Sequence, residues 1–103
     1  MYIVVFITAP GKKQAKRIAQ ALLKRKLAAC VNIVDTVESL FWWKGKIDTA
    51  EEALLVAKTR KPKFTALVKA VRSLHSYTVP EIIAVPIVAG NKEYLEWIDA
   101  SVR

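Results

Sequence analysis

A chain of 103 residues with 53% apolar side chains and a net charge of +8 suits one domain over residues 1–103, yet is too small to hide all its apolar surface. A single cysteine excludes an internal disulfide and any zinc-ligand spacing, which points to a reducing, cytoplasmic setting. The apolar run Tyr2–Ala9 is too short for a signal peptide or a membrane span, so no membrane partner is expected.

Tyr2–Ala9 is almost wholly apolar and rich in β-branched residues, the pattern of a central strand buried on both faces. Pro10-Gly11 ends it. From Lys12 to Arg25, Ala15, Ile18, Ala19, Leu22 and Leu23 recur at helical spacing, with cations on the opposite side and Gly11 as the N-cap. A second strand starts near Leu27–Val34 and stays extended to Trp43, longer than an ordinary strand, so it must bend, bulge or project. Cys30 within it reads as a small buried apolar residue.

Adjacent Trp42 and Trp43 point to opposite faces of a strand, and one subunit cannot bury both. They are the expected anchors of a subunit interface on a projecting hairpin. Gly45 supplies the turn, and Glu51–Thr59 returns as a third strand. Pro62 opens a second helix over Lys63–Leu74, Glu81–Ile87 forms a fourth strand with edge character at Pro86, and Asn91 caps a last helix. The resulting order, β-α-β-β-α-β plus a terminal helix, is the α+β, ferredoxin-like plan with both long helices on one face of an antiparallel sheet.

Charge is unevenly placed, with no acid between Lys12 and Lys26 and none between Lys58 and Arg72. The plain reading is a pair of solvated lysine-rich helix faces, and the competing one is an anionic partner. No basic ladder accompanies the tryptophans and no RNA-recognition pattern lies on Glu51–Thr59, so no specific nucleic acid is expected.

The only histidine, His75, falls with Tyr77 and Glu81 in a helix-to-strand corner set by Pro80. His75 with Glu81 is the candidate metal pair, and without a third ligand it holds a divalent ion weakly. The alternative role for His75 is a helix-terminal histidine bonded to a backbone carbonyl. Lys58, Tyr77 and Glu81 compose the candidate intersubunit cleft for a small anionic ligand. No Cys–His or serine-elbow arrangement and no phosphate loop is present, so no enzymatic activity is expected.

Phe41-Trp42-Trp43-Lys44-Gly45-Lys46, Lys58-Thr59, and Leu74-His75 through Pro80-Glu81-Ile82 resemble the CutA divalent-cation-tolerance family. So do Thr8-Ala9-Pro10, Leu27–Asn32 and the tail Tyr94-Leu95-x-Trp97. The resemblance implies a ferredoxin-like subunit in a cytosolic homotrimer, linked to tolerance of copper and other divalent metals. It also implies a likeness to the trimer of the P-II nitrogen-signalling proteins, and so a ligand-responsive role as the alternative. Family members described as copper-ligating carry a cysteine in the first strand and two consecutive histidines at the corner. The matching positions here are Ile7, Leu74 and His75, so any copper is expected to be loosely held.

Overall fold

In the computed structural model, which describes residues 1–103, β1 (Tyr2–Ala9) buries Ile3, Val5, Ile7 and Ala9 and leaves Tyr2, Val4 and Phe6 half-buried. Burial on both faces is therefore met on one face only; the chain does not fully cover the other. α1 (Lys12–Lys24) turns Ala15, Ile18, Ala19 and Leu22 inward. It starts at Gly11 without a side-chain cap and with no acid in its first turn.

β2 (Cys30–Trp43) and β3 (Lys46–Arg60) form one long antiparallel ladder, from Cys30 opposite Lys58 to Trp43 opposite Lys46. The return strand thus begins at Lys46 rather than Glu51. Pairing with Ser39–Trp43 outweighs the weak strand propensity of Asp48 and Ala50. The two-residue turn has positive φ at both Lys44 (+51°) and Gly45 (+78°), the type I′ geometry that matches strand twist. Between Val34 and Val37 the register shifts, so that Asp35 and Thr36 oppose Ala53. That bulge is how a strand this long accommodates its bend. The projecting hairpin stretches the molecule to 44 × 25 × 23 Å with a radius of gyration of 14.0 Å, against about 13 Å for a compact chain of this length.

A 3₁₀ turn at Lys61–Lys63, holding Pro62, leads into α2 (Phe64–Leu74), which buries Leu67, Ala70 and Val71. β4 (Ile82–Pro86) pairs with β1, giving the order β2-β3-β1-β4 with every neighbour antiparallel. β4 is an edge strand, where Pro86 is tolerated. α3 (Lys92–Ser101) is capped by Asn91, whose side-chain oxygen accepts from the Glu93 N–H at 3.0 Å.

This is the ferredoxin-like α+β arrangement. One core cluster joins the inward faces of β1, β3, α1 and α2. Ile98 and Val102 are buried apart from that cluster, where α3 packs against β3. Arg60 pins α3 there with an ion pair to Asp99 at 2.7 Å, and Arg103 reaches the same carboxylate at 2.9 Å. The Arg103 hydrogen bond, assisted by Arg60, holds the Asp99 carboxyl below its ordinary range.

Candidate functional site

α2 stops at Leu74 because His75 adopts extended backbone, while its N–H still closes the helix on the Val71 carbonyl at 2.9 Å. The ring of His75 turns inward and is 8% exposed. Its Nε2–H donates to the Thr8 carbonyl at 2.7 Å, and its Nδ1 accepts from the Tyr77 N–H at 3.1 Å. A carbonyl can only accept and an amide N–H can only donate, so these two bonds define the neutral Nε2–H tautomer. The rings of His75 and Tyr77 lie with centroids 4.8 Å apart.

Three further bonds fasten the corner. The Tyr77 hydroxyl donates to Oε2 of Glu52 on β3 at 2.9 Å. Burial first, and then the bond and charge of Glu52, push the Tyr77 hydroxyl up to about 12. On α1, the Gln14 side chain accepts from the Ser76 N–H at 3.1 Å and donates to the Ser76 hydroxyl at 3.2 Å. Residues 75–77 are thus tied to β1, α1 and β3 at once. Beside Glu52, Gly11, Asp35 and Glu51 help line a small polar cavity of about 150 Å³ next to the bulge.

The corner brings His75 and Tyr77 together but leaves Glu81 exposed, without a hydrogen bond or ion pair. No group of three or more His, Cys, Asp or Glu side chains converges anywhere. Ile7 is fully buried in the core and Leu74 packs against it, so neither ligand position implied by the resemblance offers a donor atom. The residues present do not fit a closed copper centre. An ion can reach His75 only by displacing the Tyr77 N–H from Nδ1 or the Thr8 carbonyl from Nε2.

Lys58 sits elsewhere. It bonds the Asn32 side-chain oxygen, near the Cys30 thiol, which lies 4.0 Å from that same oxygen. Cys30 is half-buried rather than buried, because it lies on an edge strand. Burial, and then neighbouring Cys30, raise the titration of the Tyr94 hydroxyl. Lys58 stands six positions beyond Glu52 on β3, roughly 20 Å away at strand rise. One chain therefore does not gather Lys58 with Tyr77 and Glu81. At the hairpin end, Trp42 is 72% and Trp43 45% exposed.

Sequence reasoning missed Thr8, Gln14 and Glu52 as partners of the corner. Only Glu52 left a trace: adjacent Glu51 and Glu52 in a strand must face opposite sides, so one of them meets a covered surface.

Residues 3–101 match the model of the CutA1 divalent ion tolerance protein family. The chain is 50% identical over 103 residues to the divalent-cation tolerance protein CutA of Archaeoglobus fulgidus, with all of both chains covered. It is 50% identical over 101 residues to the chloroplastic protein CutA 1 of Oryza sativa, covering 98% of this chain and 57% of that protein. The chain spans little more than half the length of this plant relative. Among solved structures, the A. fulgidus protein, described as periplasmic, superposes with a TM-score of 0.97 over 100% of each chain at 50% identity. The O. sativa CutA1 crystal structure gives 0.96 at 50% identity over 99% of this chain and 94% of that one. These descriptions name tolerance or the family and no reaction, and their chloroplast and periplasm differ from the cytoplasm that a lone cysteine suggested. No helix of the chain is long and apolar enough to cross a membrane.

Proposed function

The chain belongs to the CutA1 divalent ion tolerance family, and from that premise we propose that it serves divalent-cation tolerance as a homotrimer. It takes up copper or a similar ion weakly and exchangeably at the corner. His75 is the ligand through Nδ1, and Glu81 supplies a second, solvent-facing oxygen. The observation that carries this reading is the double engagement of the His75 ring. A histidine whose lone pair already accepts from an amide binds metal only at the expense of that bond, which suits a transient cargo ion rather than a resident one. The neutral imidazole is the form that ligates, so affinity is expected to be lower in acid than at neutral pH.

Support for assembly comes from the hairpin. Leu40, Trp42 and Ile47 are each more than 60% exposed, and the edges of β2 and β4 are unpaired within the chain. An apolar hairpin reaching past its own sheet is suited to lying on a neighbouring copy.

Calorimetric titration with copper at neutral and mildly acid pH tests the metal reading. The expected result is weak binding to the wild type, weaker still in acid, halved or worse by Glu81→Gln and lost in His75→Ala. Tight binding that survives His75→Ala contradicts it.

A further inference from the structure

The helix layer carries the charge asymmetry of the molecule. Residues 12–26 hold seven cations and residues 61–72 hold four, with no acid in either segment. Because α1 and α2 pack side by side on one face of the sheet, these cations share that face. All but Lys63 are exposed. None has an ionic partner, since both ion pairs of the protein centre on Asp99. The remaining six cations stand against all nine acids. The net +8 is therefore a strongly cationic layer laid on a mildly acidic body.

We propose that this face binds the phosphate backbone of double-stranded nucleic acid without reading its sequence. On α1, Lys12 with Lys16 and Lys13 with Arg17 repeat at i,i+4, which sets two adjacent cation rows along the helix. The 13 residues of α1 extend about 20 Å at 1.5 Å per residue, the length of about six base pairs at 3.4 Å each. On α2, Lys69 and Arg72 flank an open depression of about 820 Å³ that also presents the Thr65 and Ser73 hydroxyls. Lysine, arginine, serine and threonine are the side chains that contact phosphate oxygens, and such contacts carry no sequence information.

The same face argues against other polyanions. Its one aromatic, Phe64, packs against the core, so single strands find no stacking platform. Leu23 is its one exposed large apolar side chain, which leaves little to insert into a bilayer.

The test is fluorescence anisotropy of the full chain with labelled duplexes of two unrelated sequences, from low to physiological salt. Wild type is expected to bind both equally, with affinity falling steeply as salt rises. The helix variant Lys13→Gln/Arg17→Gln/Arg72→Gln is compared with Lys44→Gln/Lys46→Gln/Lys92→Gln, which removes the same charge from the hairpin and α3. The helix variant is expected to bind at least tenfold more weakly at low salt and to lower the log–log salt slope by about three, near 0.9 for each phosphate no longer neutralised. The control is expected to stay within about twofold. Equal weakening in both variants overturns the proposal, since net charge alone then accounts for binding. Tighter binding to single-stranded DNA, or binding to anionic phospholipid vesicles but not to duplex, also overturns it.

Discussion

The Tyr77 hydroxyl donates to Oε2 of Glu52 at 2.9 Å, tying the loop after α2 to a β3 residue that is 6% exposed. No other hydrogen bond reaches that side chain, so Tyr77→Phe leaves Oε2 without a protein partner. The expected cost is about 1–3 kcal/mol of stability, read as a lower denaturation midpoint in urea. Adding Glu52→Gln to Tyr77→Phe removes the buried charge and is expected to restore part of the loss.

The same pair sets a pH dependence at the alkaline end. Burial and Glu52 move Tyr77 from 10.0 to about 12 in the folded protein. A folded pKa above the unfolded one means the neutral phenol favours the fold. That contribution is complete below about pH 10 and is lost as pH rises toward 12. Tyrosinate absorbance and the thermal midpoint, followed together, are expected to change over that window in wild type. In Tyr77→Phe this part of the stability change is expected to disappear.

Much of this architecture was legible in the chain. The apolar period of Ala15, Ile18 and Leu22 marks α1, Pro62 marks the entry to α2, and Asn91 caps α3 as its type suggests. The excess length of Cys30–Trp43 foretold an irregularity, which the bulge after Val34 supplies. Lys46–Ala50 was not legible as strand, because its pairing with Ser39–Trp43 is an effect of the hairpin rather than of local propensity. Nor were Gln14 and Thr8 legible as partners of the corner. Each lies more than sixty residues from the group it bonds, and the two meet only once α2 has docked. Within one chain Lys58 and Tyr77 stand apart, because separation along β3 becomes separation in space, and the intersubunit cleft expected from them is a property of the assembly.

The hairpin turn offers a local check. Gly45 has φ +78° and nothing within 4 Å of an added Cβ, so Gly45→Ala meets backbone strain rather than a clash. A loss of about 1–2 kcal/mol is expected from the left-handed conformation. Lys44→Asn, at φ +51°, is expected to be neutral or slightly stabilising, because asparagine tolerates this region better. Thermal melts of the two single variants distinguish the effects.

For the assembly, the expected mass by sedimentation is three times the 11.5 kDa chain at micromolar concentration. Trp42→Ala with Trp43→Ala is expected to yield monomer, since each truncated interface aromatic costs about 3–5 kcal/mol when buried by a neighbour. A folded double variant that keeps the full mass removes the hairpin from the interface.

The metal reading turns on which atom of the single histidine gives way. Nitrogen-15 spectra of the histidine ring, recorded while zinc is added as a diamagnetic probe, observe that atom directly. Without zinc, the expected spectrum is that of the neutral Nε2–H tautomer, with the Tyr77 amide shifted by its bond to Nδ1. With millimolar zinc, the Nδ1 resonance and the Tyr77 amide are expected to move together, at the same midpoint. Zinc-dependent shifts elsewhere in the chain, with His75 and Tyr77 unchanged, contradict the corner as the site of metal uptake.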